Sequence, residues 1–261
     1  MKAMILSGLC DLKTNPNPLA FRDVPDPIPA EREILIRVSA CGVCHTEIDE
    51  IEGRTPPPRF PVIPGHQVVG YVAENGPKSA RFKTGDRVGV AWIYSACGNC
   101  RFCRAGRENL CPDFQATGRD TDGGYAEAMV VPETSAYPIP NVFSDSEAAP
   151  LLCAGAVGFR SLKLAALEDG GNLGLTGFGA SGHLVIQTVR RTHPQSRIFV
   201  FARSPEQREL ALALGAAWAG DIDENPGEPM QAVIDTTPAW KPVVRSFTSA
   251  ISRVFPGVGC Q

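Results

Sequence analysis

The chain has 261 residues, with 25 Lys and Arg against 28 Asp and Glu and a formal net charge of -3 at pH 7. This length allows two domains of ordinary size, each with its own core. The charge balance excludes a basic field for nucleic acid or anionic lipid, and no apolar run approaches bilayer length, so we expect a small-molecule partner and neither nucleic acid nor membrane. The opening MKAMILSGLCDLK lacks the features of a secretory signal, which favours a cytoplasmic location.

Short β-type runs dominate residues 1–150. They include ILIRV at 34–38, VVGYVA at 68–73 and RVGVAW at 87–92, separated by Gly, Pro and Asp. These runs predict a loop-rich β domain. From Asp145 onward, SEAAPLLCAGAVGFRSLKLAAL predicts one long helix that enters a second domain.

Strand and helix signals alternate from Leu173 to the end of the recognisable pattern. The helix after RIFVFA is specified by Ser204 as cap, Pro205 at its first position and Gln207 as the partner in a capping box. This alternation predicts an α/β unit with a parallel sheet. Its strands are expected near residues 173–176, 198–201, 217–219 and 232–235.

The tightest motif is C-x-x-C-x-x-C-x7-C. It is formed by Cys97, Cys100, Cys103 and Cys111. One loop can wrap four thiolates around a tetrahedral ion and leave no position open, so the motif predicts a structural metal site. Sulfur ligands suit zinc or an iron–sulfur cluster, while disulfides are disfavoured in a chain of this size without a signal peptide. The cysteines outside the predicted metal sites are interpreted as ordinary thiols: Cys10, Cys41 and Cys260.

This spacing resembles the structural zinc lobe of the zinc-dependent medium-chain alcohol dehydrogenases, and the resemblance runs from about residue 1 to 244. It implies an α/β protein with an N-terminal GroES-like β-barrel domain over 1–150, followed by an incomplete Rossmann parallel α/β domain over 151–261. It also implies zinc in the four-cysteine loop and an oxidoreductase that uses NAD(P).

Three scattered residues resemble the family's catalytic zinc ligands. They are Cys44 in CGVCHTEID, His66 in PGHQVVG and Cys153 in APLLCAG. Two thiolates and one imidazole leave a fourth position open for water or an alcohol oxygen. The resemblance implies that Thr46 carries the alcohol proton, the alternative being a turn-stabilising hydroxyl. It implies that His45 reaches the cofactor pyrophosphate, the alternative being an exposed surface histidine.

Two positions depart from the family pattern. Gln67 follows the ligand histidine where the family commonly has Glu, and Asp49 occupies a position where many members have a proton-relay histidine. Glu47 resembles the carboxylate that orients the ligand histidine, with a surface acid as an equal alternative. Trp92 falls where the family places an aromatic wall that favours small primary alcohols or aldehydes, unless it belongs to the core.

A glycine motif follows the first strand of the second half. Gly177, Gly179 and Gly182 form G-x-G-x-x-G at the start of a helix, which is typical of dinucleotide binding. The acid that favours NAD about 20 residues later is missing; Arg203 stands there and could receive a 2′-phosphate. The sequence therefore favours NADP, although Arg203 could also be a solvated charge.

Two functional hypotheses follow. The first is a zinc-dependent alcohol dehydrogenase or aldehyde reductase acting on a small alcohol or aldehyde. The alternative is a catalytically inactive, truncated zinc-binding remnant, because the ending RSFTSAISRVFPGVGCQ leaves the family pattern. The resemblance implies a homo-oligomer, but the family strands that this ending replaces take part in subunit pairing, which argues against one here.

Overall fold

The computed structural model describes residues 1–238, 241 and 250–256, the last segment as backbone. The chain divides into two compact units, Met1–Cys153 and Ala154–Gln261. The thiol prediction for Cys260 lies outside the described residues.

The first unit is mainly β. Its strands are β1 (Lys2–Leu6), β2 (Leu19–Asp23), β3 (Glu33–Cys41), β4 (Val68–Asn75), β5 (Arg87–Val90), β6 (Ile93–Ser95), β7 (Gln115–Ala116), β8 (Ala128–Pro132) and β9 (Ala136–Pro138). Its α-helices are α1 (His45–Ile51) and α2 (Asp145–Ala148). Four 3₁₀ turns complete it: Cys103–Ala105, Glu108–Leu110, Glu133–Ser135 and Ala149–Leu152.

The main sheet of this unit is antiparallel, with the strand order β8-β3-β4-β5-β9. The three β-type runs predicted from sequence are confirmed as β3, β4 and β5, although the third run extends two residues beyond the end of β5 at Val90. Aliphatic side chains from these strands form one buried cluster, which includes Ile34, Ile36, Val68, Val72 and Val88. The sheet positions the segments just after β3 and just before β4, where Cys44 and His66 lie.

The prediction of one long helix from Asp145 is wrong. The segment forms α2, then the 3₁₀ turn Ala149–Leu152, and a separate helix α3 (Ala154–Ala165). Pro150 has no N–H to donate to a helical ladder and its ring crowds the preceding turn. Cys153 then leaves helical geometry, with φ -129 and ψ -75. The break places Cys153 between two helical pieces instead of inside a regular helix.

The second unit alternates strands and helices. After α3 come β10 (Asn172–Thr176), α4 (Ala180–Thr192), β11 (Arg197–Phe201), α5 (Pro205–Ala213), β12 (Trp218–Gly220), β13 (Met230–Asp235) and β14 (Ala250–Pro256). All strand pairings are parallel, in the order β12-β11-β10-β13-β14. This order matches the first five strands of the doubly wound dinucleotide-binding fold.

The four strands predicted for this unit are confirmed as β10 to β13. The strand β14 was not predicted, because its residues belong to the ending that departs from the family pattern. The Ser204 cap is also present, with its Oγ accepting a hydrogen bond of 3.4 Å from the Gln207 amide. Hydrophobic patterning thus predicted β10 to β13 and local capping predicted the start of α5, whereas β14 forms by pairing with β13.

Among the described residues, no single helix is both long and apolar enough to cross a membrane. The pieces Asp145–Leu152 and Ala154–Ala165 meet the length and composition test only when taken together, and they are bent at their junction.

Candidate metal centres and dinucleotide loop

Cys44, His66 and Cys153 converge on one point in the first unit. Their donor atoms lie within 4.8 Å of one another, although Cys44 and Cys153 are 109 residues apart. The two sulfurs are separated by 3.9 Å. Sulfurs bound at about 2.3 Å to one tetrahedral zinc lie about 3.8 Å apart, so the spacing fits zinc. His66 and Cys153 are buried, and Cys44 is partly buried.

Local backbone geometry directs these three side chains. Cys44 is the N-cap of α1, in extended conformation. Gly65, immediately before His66, has a φ of +101, and a side chain there would collide with Tyr125. Glycine therefore lets the chain turn so that His66 enters the site at the start of β4.

Glu47 holds His66 in one orientation. Its Oε1 lies 2.6 Å from His66 Nδ1, and its Oε2 accepts a hydrogen bond of 2.8 Å from the Cys44 amide. The other ring nitrogen, Nε2, is buried and has no hydrogen-bond partner among the described residues. A carboxylate on one nitrogen and an open second nitrogen are typical of a metal-binding histidine. The residues present therefore fit a zinc ion.

The electrostatics of the site favour a thiolate. The Cys153 sulfur lowers the pKa of Cys44 to about 3 against the opposing effect of burial, with further help from His66 and Thr46. Burial alone would lower the pKa of His66, but Cys44 and Glu47 together raise it to about 10. The thiolate is the form of cysteine that binds metals, whereas His66 must release the proton on Nε2 before that nitrogen can bind an ion.

The structure places Thr46 close to this site. Its side chain is buried, and Oγ1 lies 3.5 Å from Cys44 Sγ. The His45 side chain is exposed, with Nε2 3.7 Å from Asp49 Oδ1. Asp49 is also paired with Arg54 through its Oδ1. The position where the family often has histidine thus holds a carboxylate engaged by two basic groups.

Gln67 and Trp92 both pack close to the ligand histidine. Gln67 is buried against Gly42, whose amide donates a 2.9 Å hydrogen bond to the Gln67 carbonyl. The Trp92 ring meets His66 edge to face, with 5.0 Å between ring centroids. Since Trp92 remains partly exposed, it is not simply a core residue.

The four cysteines of the C-x-x-C-x-x-C-x7-C loop also converge, with all sulfurs within 4.8 Å of one another. Cys103 Sγ lies 3.9 Å from Cys97 Sγ and 3.5 Å from Cys100 Sγ. None of the four is in a disulfide. Backbone amides approach the sulfurs, from Cys97 to Cys111 at 3.4 Å and from Cys103 to Cys100 at 3.5 Å. The loop fits one tetrahedral ion with four sulfur ligands.

The glycine motif lies between β10 and α4 in the second unit. Gly177 has a φ of +81, and a Cβ at Gly182 would lie 2.7 Å from the Gly177 carbonyl oxygen. A Cβ at Gly179, the N-cap of α4, would meet no atom within 4 Å. Two glycines are thus required by the turn, while the third leaves its backbone open to a ligand. This arrangement fits a pyrophosphate at the N-terminus of α4.

Arg203 follows the end of β11. It is exposed and forms no ion pair within the part of the chain that the structure describes. Arg208, by contrast, donates to the Ala202 carbonyl at 3.2 Å and lies 3.9 Å from Asp221. Arg203 is therefore the more available cation at this strand end.

Two polar residues, the buried Glu50 and the partly exposed Arg119, were missed in the sequence. Glu50 is 1% exposed, and its Oε1 has no hydrogen-bond partner among the described residues. Its position three residues after Glu47 places both acids on one face of α1, and this helical spacing could have identified Glu50 from the sequence. Arg119 lies over the Trp92 ring, with Cζ 5.5 Å from the centroid. No local pattern in TGRDTDGG indicates that contact.

The chain resembles known proteins in its sequence. Residues 30–141 match the family model described as the alcohol dehydrogenase GroES-like domain. The chain is 48% identical over 213 residues to "Probable alcohol dehydrogenase AdhA" of Mycobacterium tuberculosis, a match that covers 80% of this chain and 61% of that protein. It is 32% identical over 245 residues to alcohol dehydrogenase notN of an Aspergillus species, covering 93% of this chain and 70% of that protein. The chain thus spans less than two thirds of the first of these relatives.

Solved structures show the same similarity. The cobalt- and zinc-bound thermostable alcohol dehydrogenase from Pyrobaculum aerophilum superposes with a TM-score of 0.86 at 26% identity, covering 97% of this chain and 76% of that one. A cinnamyl alcohol dehydrogenase from Sorghum bicolor gives a TM-score of 0.79 at 30% identity, covering 91% and 70%.

Proposed function

The chain belongs to the zinc-dependent medium-chain alcohol dehydrogenase family, and we propose that it transfers hydride between a small alcohol or aldehyde and NAD(P), with NADP preferred. The observation that carries this proposal is the convergence of Cys44, His66 and Cys153, with His66 Nε2 left open. Assembly of this site, of the four-cysteine loop and of the glycine turn supports the enzyme over the alternative of an inactive remnant.

The two metal centres take different roles in the proposal. Cys97, Cys100, Cys103 and Cys111 hold a structural zinc. Cys44, His66 and Cys153 hold a second zinc with one position free. When bound there, zinc makes an alcohol hydroxyl more acidic and polarises a carbonyl.

The residues around the second site prepare it for that chemistry. Glu47 fixes the His66 ring so that Nε2 faces the two sulfurs. The buried Thr46 hydroxyl, next to Cys44, accepts the substrate proton and passes it on. Trp92, packed edge-on against His66, limits the size of the substrate.

Cofactor binding is assigned to the second unit and to His45. Gly177, Gly179 and Gly182 receive the pyrophosphate; the family resemblance alone assigns His45 a contact with it. Arg203 receives the 2′-phosphate that distinguishes NADP, since it is exposed and not engaged by a carboxylate among the described residues. A homo-oligomer is the state that the family resemblance implies.

The test is a spectrophotometric assay of the zinc-loaded protein with NADP or NAD and a series of small primary alcohols. We expect alcohol-dependent reduction of NADP, with a lower KM for NADP than for NAD. Replacing Arg203 by Ala should raise the KM for NADP by about tenfold and leave that for NAD nearly unchanged, since a charge-assisted contact is worth about 1.5 kcal/mol or more. Arg191→Ala, which removes an exposed arginine on α4, is the matched control. Zinc-loaded, cofactor-binding protein without alcohol-dependent reduction would contradict the proposal.

A further inference from the structure

We propose that Arg119 determines substrate specificity by donating a hydrogen bond to a second oxygen of the substrate, so that the site prefers alcohols or aldehydes that carry a further hydroxyl or carbonyl. The inference rests on the proposed function and names its substrate class.

Arg119 lies one aromatic ring away from a proposed zinc ligand. Its guanidinium carbon is 5.5 Å from the Trp92 centroid, and the Trp92 ring contacts His66 edge to face at 5.0 Å. In the proposed function, a substrate whose reacting oxygen takes the open position beside Cys44, His66 and Cys153 would extend along the Trp92 wall. Arg119 is the charged donor that the structure places on that wall.

The guanidinium is held in place before any ligand binds. Asp120 Oδ2 accepts hydrogen bonds from Arg119 Nη2 at 2.7 Å and Nε at 3.2 Å, and also from the Ala116 amide at 2.6 Å. The Thr117 amide donates to the Trp92 carbonyl at 2.9 Å, which ties this turn to the strand region that carries the indole. A donor fixed in this way loses little conformational entropy when it binds a ligand.

Asp120 uses only part of the donor capacity of Arg119. A guanidinium has five N–H groups, and those on Nη1 of Arg119 have no hydrogen-bond acceptor among the described residues. The side chain is 21% exposed, so it is accessible without being freely solvated. Because the ion pair with Asp120 is already neutral, a neutral oxygen suits the remaining donors better than a carboxylate does.

Glu50 gives independent evidence that this region is polar. It is 1% exposed, and its Oε1 has no hydrogen-bond partner among the described residues. Glu50 lies on α1, three residues after Glu47, whose Oε1 contacts His66. Buried polar atoms without partners are expected to be satisfied by water or by a polar ligand. An apolar alcohol would offer no partner to the Nη1 group of Arg119.

The simpler role for Arg119 is to pack against Trp92, and the two roles predict different kinetics. Each α,ω-diol is compared with the n-alkanol that has a methyl group in place of its second hydroxyl: 1,3-propanediol with 1-butanol, 1,4-butanediol with 1-pentanol, and 1,5-pentanediol with 1-hexanol. The quantity compared is the diol-to-alkanol ratio of kcat/KM, corrected for the two equivalent hydroxyls of the diol. For at least one chain length we expect this ratio to fall about tenfold in Arg119→Met, because a site built for a hydroxyl rejects the analogue that lacks it.

The alkanol values should change less than threefold in that variant, because the methionine preserves most of the contact with Trp92. Arg22→Met, which removes an exposed arginine on β2, should leave every ratio unchanged. An unchanged ratio in Arg119→Met, or a parallel loss with diols and alkanols, would overturn the proposal in favour of the packing role.

A binding measurement separates this inference from the proposed function. Calorimetry of zinc-loaded protein with 3-hydroxypropanamide and with butyramide, two aldehyde analogues of equal size, needs no turnover. We expect tighter binding of the hydroxylated amide in the wild type, and loss of that difference in Arg119→Met. Equal affinity of the wild type for both amides contradicts the inference even if alcohols are oxidised. A preference that depends on Arg119 supports it even if they are not.

Discussion

The two metal centres are built in opposite ways. The four-sulfur centre takes all its donors from one loop, between Cys97 and Cys111, and backbone amides of the same loop contact two of the sulfurs. The three-donor centre joins residues 109 positions apart, and it depends on the ends of β3 and β4 and on the helix break at Cys153. A local loop and its ion can form one unit, whereas the second centre requires the sheet.

The surroundings of the two centres differ as well. The three-donor centre has a buried carboxylate, Glu47, that orients its histidine, and a second buried acid, Glu50, nearby. In the four-sulfur loop, Cys111 is buried and the other three cysteines are partly exposed. We therefore expect substitutions at the three-donor centre to change catalysis, and substitutions at the four-sulfur loop to change the stability of the fold.

The largest effect is expected from His66→Ala. Loss of the imidazole opens the three-donor centre and removes several kcal/mol of transition-state stabilisation, so kcat/KM should fall by about a thousandfold or more. Metal analysis should find the four-sulfur zinc retained. His193→Ala, at the end of α4, is the matched control and should behave as wild type. Unimpaired activity in His66→Ala would show that the three-donor centre is not catalytic.

Cys103→Ser should act on the other centre. Removing one of four sulfurs should release the loop zinc and lower the free energy of unfolding by several kcal/mol, because structural zinc binding contributes directly to folding. Thermal unfolding followed by circular dichroism measures this loss, with Cys10→Ser as control. Activity per folded molecule should persist below the new Tm. If catalysis disappeared while the protein stayed folded, the independence of the two centres would be wrong.

Glu47→Gln weakens the contact that orients one zinc ligand, His66, without removing the ligand itself. The amide keeps the side-chain volume, but it carries no charge and has one acceptor oxygen in place of two, so it cannot accept from both the Cys44 amide and His66 Nδ1. Competition with a chelator should show zinc at the three-donor centre bound about 10- to 100-fold more weakly, with no change at the loop. Equal affinity would mean that Glu47 only caps α1.

The smallest effect is expected from Glu50→Gln, and it depends on pH. Burial, with Glu47 adding to it, raises the pKa of Glu50 from 4.5 to about 8. Between these values the folded protein holds a proton that the unfolded chain has released, so the contribution of Glu50 to stability is present below pH 4.5 and is lost as pH rises through about 8. The variant should gain at least about 1 kcal/mol over wild type at pH 9 and nothing at pH 4, as measured by urea unfolding. A gain that is the same at both pH values would contradict this assignment.

Sequence reasoning recovered the features that local rules determine. Hydrophobic alternation located β3, β4 and β5, and Ser204 marked the start of α5. The cysteine spacing indicated the loop centre because its donors are neighbours in the chain.

Features that depend on tertiary packing were harder to predict. The apolar run around Cys153 has helical composition, and only Pro150 hinted at the break. No local sequence signal marks β14, which is defined by its parallel pairing with β13. The contact of Arg119 with Trp92 joins residues on different segments, so no sequence window contains it.

The central claim is that Cys44, His66 and Cys153 hold a zinc ion of their own. Anomalous diffraction recorded on both sides of the zinc absorption edge tests this claim most directly. The account predicts two peaks per chain, one inside the four-sulfur loop and one at about 2.0–2.3 Å from His66 Nε2 and the sulfurs of Cys44 and Cys153. A single peak, inside the loop, from crystals grown with zinc would contradict it.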